Sequence, residues 1–183
     1  MKLFNINPSN KPLSRKAFEE IFRLYYQPLC RFCFGIVKDM DTAEEIVQDL
    51  FFRLWQDQQN TRISTSLKSY LYKAAYNNSL KHLRQQAVRE KYAASQPVQP
   101  QSTSEGILER MQEKQLMEVV EHILETLPER TRTIFKMSRF EGLKYHEIAS
   151  ILSISVKTVE ANMGKALAVF RNQFKQHKHH LQN

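Results

Sequence analysis

The sequence is short of the residues that interrupt helices. Its 183 residues include four Gly, six Pro and two Cys. So few breakers, set among long apolar repeats of 3.6-residue period, predict an all-α chain. No apolar run approaches the roughly 20 residues that a membrane span needs. The N-terminus MKLFNINPSNKPLS lacks the apolar core of a signal peptide. The expectation is a soluble, cytoplasmic protein without membrane insertion. Acidic residues are also in deficit, 19 against 27 Lys plus Arg, for a net charge of +8. That surplus favours an anionic partner, nucleic acid or an acidic membrane surface. The length allows one or two domains.

Catalytic equipment is missing as well. The sequence shows no carboxylate pair, no Ser/His/Asp set and no Gly-rich phosphate loop. The single CxxC, CRFC at 30–33, could be redox-active or half of a zinc site. With no second pair or nearby His to complete a cage, its position in an apolar helical segment predicts buried core thiols. HKHH at 177–180 could bind metal adventitiously, but reads more readily as a solvated basic end. No cofactor, metal or enzymatic activity is expected.

Phe18, Phe22, Tyr25 and Tyr26 share one helical face. Pro28 is expected to end that helix or start the next. A helix follows from PLCRFCFGIVKD, then another to about Asp57, with Asp41 and Glu44 as a capping-box-like start. Ile46, Val47, Leu50 and Leu54 form its buried stripe. QQNTRISTS is a polar loop, and LKSYLYKAAYNNSLKHLRQQ is helical with Leu67, Leu71, Ala74 and Ala75 inward. Residues 93–106, AASQPVQPQSTSEG, are too polar to order themselves and read as a flexible linker reaching roughly 45 Å when extended. Beyond it, Ile107, Leu108, Met111, Leu116, Val119, Val120, Ile123 and Leu124 mark an amphipathic helix. Another follows, from Pro128 to a stop at Gly142. The layout is four helices, a linker and four helices.

Three constellations stand out. In YHEIASILSISVKTVEANMGKAL, 145–167, two short helices meet across SIS. Ile148, Ala149 and Leu152 line the first inside, and Ile154 plugs the turn. Ser155 caps the second helix, whose Val159, Met163 and Leu167 face inward. Ser153 takes a position usually given to Gly in the left-handed region, at a cost of about 1 kcal/mol. Lys157, Thr158, Glu160, Ala161, Asn162 and Lys165 remain outside. This is a helix-turn-helix pattern, whose second helix enters a major groove. Lys157, Thr158, Glu160 and Asn162 are candidate base-edge contacts and Lys165 a phosphate contact. The second constellation is acidic. Asp39, Asp41, Glu44, Glu45, Asp49 and Asp57 stand against one base, Arg53. Such a face suits a basic protein partner. The third is basic. Arg62, Lys68, Lys73, Lys81, Arg84, Arg89 and Lys91 are accompanied by one acid, Glu90, with Tyr70, Tyr72 and Tyr76 interleaved. Cations for phosphates and aromatics for unstacked bases suit single-stranded nucleic acid. Tyr70 is expected to be partly core, and Tyr72 and Tyr76 exposed.

Together these motifs resemble bacterial RNA polymerase sigma factors of the small, two-domain extracytoplasmic-function group, over about residues 13–174. DTAEEIVQDLFFRLW is similar to that family's core-polymerase-binding helix. The resemblance implies polymerase contacts at Asp41, Glu44, Glu45, Gln48, Asp49, Phe52 and Trp55. SLKSYLYKAAYNNSLKHLR resembles the minus-ten-reading helix, with Asn77 at the family's usual Asn. It implies DNA contacts at Arg62, Lys68, Tyr72, Lys73, Tyr76, Asn77, Lys81 and Arg84, and capture of a flipped base by the loop 60–66. LPERTRTIFKMSRFEGLKYHEIASILSISVKTVEANMGKAL resembles the minus-thirty-five-reading domain, which implies contacts at Ser155, Lys157, Thr158, Glu160, Asn162 and Lys165. Tyr76 stands where many members carry Arg, and Lys81 where many carry an acid. Asn162 and Gly164 also differ from common recognition-helix residues, which bears on the promoter sequence read.

The implied organisation is two all-α domains, 13–92 and 107–176, joined by the linker 93–106, with a helix-turn-helix in the second. The implied partners are core RNA polymerase, promoter DNA as duplex and melted strand, and an anti-sigma factor. The implied activity is promoter-specific initiation. A free-standing helix-turn-helix regulator would explain 145–167 but neither the acidic helix nor the tyrosine patch. A decoy that occupies polymerase without initiating is a third reading.

Overall fold

The computed structural model describes residues 13–57, 65–92 and 111–180. Among them are seven helices and no strand: α1 Arg15–Val37, α2 Met40–Gln56, α3 Leu67–Tyr92, α4 Met111–Thr126, α5 Glu129–Arg139, α6 Tyr145–Leu152 and α7 Val156–His180. The chain divides into two compact units between residues 96 and 97. The linker 93–106, with Ile107 and Leu108, lies outside the described residues.

In the first unit α1, α2 and α3 each pack on the other two. Ser14 starts α1 by accepting a hydrogen bond from the Ala17 N–H at 3.2 Å. The helix then runs straight through Pro28, where the sequence predicts a break. Proline removes one backbone bond and crowds the preceding turn, a cost of about 3 kcal/mol. The core holds the helix on both sides of it. Ile21 lies before Pro28, and Leu29, Cys30, Phe32 and Cys33 lie after it, all buried. The thiols are core groups, as expected. Burial pushes both up, Cys33 to about 11.

Lys38 closes α1 in the left-handed conformation, φ 63°, and donates its N–H to the Phe34 carbonyl. The next residue, Asp39, caps α2 by accepting from the Thr42 N–H at 2.8 Å. The cap is therefore Asp39 and not Asp41, which lies inside the first turn. Its hydrogen bonds with Thr42 hold the Asp39 carboxyl below its ordinary range. The stabilisation is thus present at neutral pH and lost as pH falls through that lowered value. Ala43, Ile46, Val47, Leu50, Phe51 and Leu54 are buried along α2.

The second unit is built from α4 to α7. Arg132 on α5 donates from Nη2 to the Glu125 and Leu127 carbonyls, at 2.9 and 3.1 Å, and so satisfies the C-terminal end of α4. Phe135 stacks on Phe170 at 4.7 Å and fixes α5 against α7. Gly142 has φ 58°, the left-handed turn out of α5. Ile148, Ala149 and Ile151 bury α6, and Leu152 is half-buried.

Val159, Met163 and Ala166 are buried on α7, whereas Leu167, expected inside, is 38% exposed. The reason is helical geometry. An eight-residue step overshoots two turns of 3.6 residues, while a seven-residue step stays on the face. The turn between α6 and α7 follows expectation. Ser153 is left-handed, φ 54° and ψ 48°, and Ser155 Oγ accepts from the Thr158 N–H at 3.1 Å. Ser153→Gly relieves the left-handed strain of a Cβ-bearing residue. It should stabilise the second unit by about 1 kcal/mol, read from the shift of its denaturant midpoint.

Candidate nucleic-acid and protein interfaces

The acidic surface is a stripe of α2. Asp41, Glu45, Gln48, Asp49 and Phe52 recur at helical spacing, and all are exposed; Glu44 is half-buried. Asp49 pairs with Arg53 at 2.8 Å on the surface. Two concavities of about 570 Å³ each flank Gln48 and Phe52. One is lined by Glu45, Ile46 and Asp49. The other has aromatic walls, Phe18, Phe22, Phe51 and Trp55. Phe18 lies 4.9 Å from Trp55, and Phe22 lies 4.9 Å from Phe51. Phe52, at 57% exposed, and Trp55, at 38%, therefore present large apolar area beside the acids. Gln48 is steadied by donating Nε2 to the Tyr26 hydroxyl at 3.2 Å. The shared helical face of Phe18 and Phe22 on α1 thus forms one wall of this cleft.

The basic surface is on α3. Lys73, Asn77, Lys81 and Arg84 form one exposed stripe. Lys68 is half-buried on the far side, and Arg62 and most of the loop 60–66 lie outside the described residues. Ser66 starts the helix by accepting from the Ser69 N–H at 3.1 Å.

Tyr72 is not exposed. It is 1% accessible and packs edge-on against Phe32 of α1 at 5.1 Å. A side chain so enclosed cannot stack on a base in this conformation. Because α3 touches both α1 and α2, it buries a wider arc than a single apolar stripe, and Tyr72 falls inside it. Tyr76 is half-buried on the flank of the basic stripe. Tyr70, also half-buried, stands seven residues before Asn77 and so on the stripe itself. Its partial burial is as expected. A polar groove of about 230 Å³ joins this surface to α2, with Lys81, His82 and Asn78 on one wall and Asp49 and Arg53 on the other.

The third surface is α7. Lys157, Glu160, Ala161, Gly164 and Lys165 are all exposed at i, i+3, i+4, i+7 and i+8, one continuous face. Ser155 and Thr158 are tied into the cap, their hydroxyls 2.9 Å apart. Asn162 departs from its expected place. It is half-buried, with Nδ2 donating to the Thr158 carbonyl at 2.7 Å and Oδ1 accepting from the Thr131 hydroxyl at 2.8 Å. Both ends of its amide are held by protein partners, so it does not share the open face. Among the described residues, no His, Cys, Asp or Glu group could hold a metal, and no helix is long and apolar enough to cross a membrane.

Two family matches coincide with the two units. Residues 21–89 match Sigma-70 region 2, and residues 117–168 match Sigma-70 region 4. Together they span well over half of the chain.

The chain belongs to the sigma-70 family.

This sigma factor is 29% identical to RNA polymerase sigma factor SigV of Bacillus subtilis, over 80% of this chain and 84% of that one. It is 24% identical to the ferric citrate uptake sigma factor FecI of Escherichia coli, covering 82% and 87%. Other relatives carry the extracytoplasmic-function designation, including the E. coli sigma-E factor, 24% identical over 87% of each chain. Its fold is similar to that of RpoE in the solved complex with the anti-sigma factor NepR from Bartonella quintana. There the TM-score is 0.67 at 18% identity, over 87% of this chain and 98% of the other. The protein is an extracytoplasmic-function sigma factor, a transcription initiation factor that binds core RNA polymerase and directs it to promoters.

Proposed function

We propose a division of that work among the three surfaces. The acidic stripe of α2, with Phe52 and Trp55, docks core polymerase. Lys73, Asn77, Lys81 and Arg84 hold the backbone of the opened minus-ten strand, with Tyr70 and Tyr76 supplying ring faces to its bases. The open face of α7 enters the major groove of the minus-thirty-five element through Lys157, Glu160 and Lys165, with Ser155 and Thr158 at its N-terminal end. The observation that carries this reading is the segregation of charge in the first unit: acids and exposed aromatics on α2, bases on the outer stripe of α3.

The sigma factor supplies no catalytic centre. Trapping unstacked bases offsets the few kcal/mol of opening. It acts where core polymerase is, in the cytoplasm. An anti-sigma factor is its expected regulator, since the similar solved structures include a sigma factor held by NepR and CnrH held by CnrY. Tyr70→Ala and Tyr76→Ala in the holoenzyme should each reduce permanganate reactivity of unpaired thymines at least about fivefold, given roughly 1–3 kcal/mol per stacked base. Affinity for closed upstream duplex should barely change. Normal opening by both variants would remove the tyrosines from this role.

A further inference from the structure

The Thr131–Asn162 bond has a consequence for sequence readout, given the reading of α7 as the duplex-reading helix. Asn162 lies on the recognition helix one turn beyond Thr158, and it bears an amide, the group that pairs bidentately with adenine N6 and N7. Its orientation in the structure is fixed by chemistry. The Thr158 carbonyl can only accept, so the atom 2.7 Å from it is Nδ2. Oδ1 then points to α5, where the Thr131 hydroxyl donates to it at 2.8 Å. Thr131 is 3% exposed, so its hydroxyl has no access to water and needs a protein partner. The carbonyl four residues back, that of Leu127 between α4 and α5, already accepts from Arg132.

The geometry points to Thr131 as a specificity-determining positioning residue, which withholds the Asn162 amide from the groove and leaves the base pair facing it unread. The open face beside it carries Ala161 and Gly164, neither able to hydrogen-bond through a side chain. The element is then read by the flanking Lys157, Glu160 and Lys165. Removing the Thr131 hydroxyl frees Oδ1 from α5. A half-buried oxygen without a partner gains by turning toward solvent or a base, and adenine offers it the N6 donor.

The test is base preference in a library of randomised upstream elements, selected by holoenzyme containing the full chain. Thr131→Val should gain about fivefold or greater preference for adenine at one position. Thr131→Ser, which keeps the hydroxyl, should retain the wild-type pattern. Adding Asn162→Ala to Thr131→Val should abolish the gained preference, which a merely structural change would not. Thr131→Ala provides a second hydroxyl-free variant that cannot overpack.

Wild-type preferences in both hydroxyl-free variants would overturn the proposal while leaving α7 as the reader. Loss of folding in both, by circular dichroism, would overturn it too, making the bond a folding requirement. No upstream preference in the wild type would instead overturn the reading of α7, and this proposal with it.

Discussion

Tyr72→Ala is expected to cost the first unit about 3–5 kcal/mol, the range for truncating a large buried aromatic. The ring is enclosed between helices and meets Phe32 edge-on, and its neighbours Leu71 and Ala75 are equally buried. Removal would leave a void against Phe32 of α1. Tyr76→Ala, on the half-buried flank, should cost far less. The chain has a single tryptophan, Trp55, which lies in this unit against Phe18. Its fluorescence during urea unfolding therefore reports the first unit. A loss below about 1 kcal/mol for Tyr72→Ala would mean that the ring is not core.

The proposed polymerase-docking surface should fail by a different route. Phe52→Ala removes an exposed ring, so stability should move by less than about 0.5 kcal/mol. Its affinity for core polymerase should nonetheless fall by about 2 kcal/mol, roughly thirtyfold, as for a central aromatic anchor. The paired reversals Glu45→Lys and Asp49→Lys should mainly slow association and change its salt dependence, because exposed charges steer encounter. Equilibrium binding of the labelled variants to core enzyme, at two salt concentrations, separates the effects. Wild-type affinity for both Phe52→Ala and the double reversal would remove docking from this face.

The sequence was informative wherever the chemistry is local. Ser155 as a cap and Ser153 in the left-handed turn follow from a few neighbouring residues, and both stand as expected. The acidic and basic stripes are also properties of single helices. What it concealed depends on third parties. Pro28 reads as a break because only the core on either side shows why the helix continues. Tyr72 reads as exposed until α1 is packed on α3 with Phe32 against the ring. Phe18 and Phe22 share a helical face in the sequence, but nothing local shows that this face meets Trp55 to form a cleft. Asn162 reads as a base contact because nothing in its own helix announces Thr131, 31 residues earlier. Asp39 displaced Asp41 as the cap for a smaller reason: the left-handed Lys38 ends α1 immediately before it.

The central claim is that the chain confers promoter choice on core polymerase by joining a duplex reader to a strand-trapping unit. Its most direct test is to add the protein to purified core enzyme on fragmented genomic DNA and map transcript 5′ ends. The expected result is starts that align on two shared upstream elements, absent with core enzyme alone, with the upstream one altered by Lys157→Ala and promoter opening reduced by Tyr70→Ala. Binding to core enzyme without aligned starts would contradict the account and leave a protein that occupies polymerase but does not direct it.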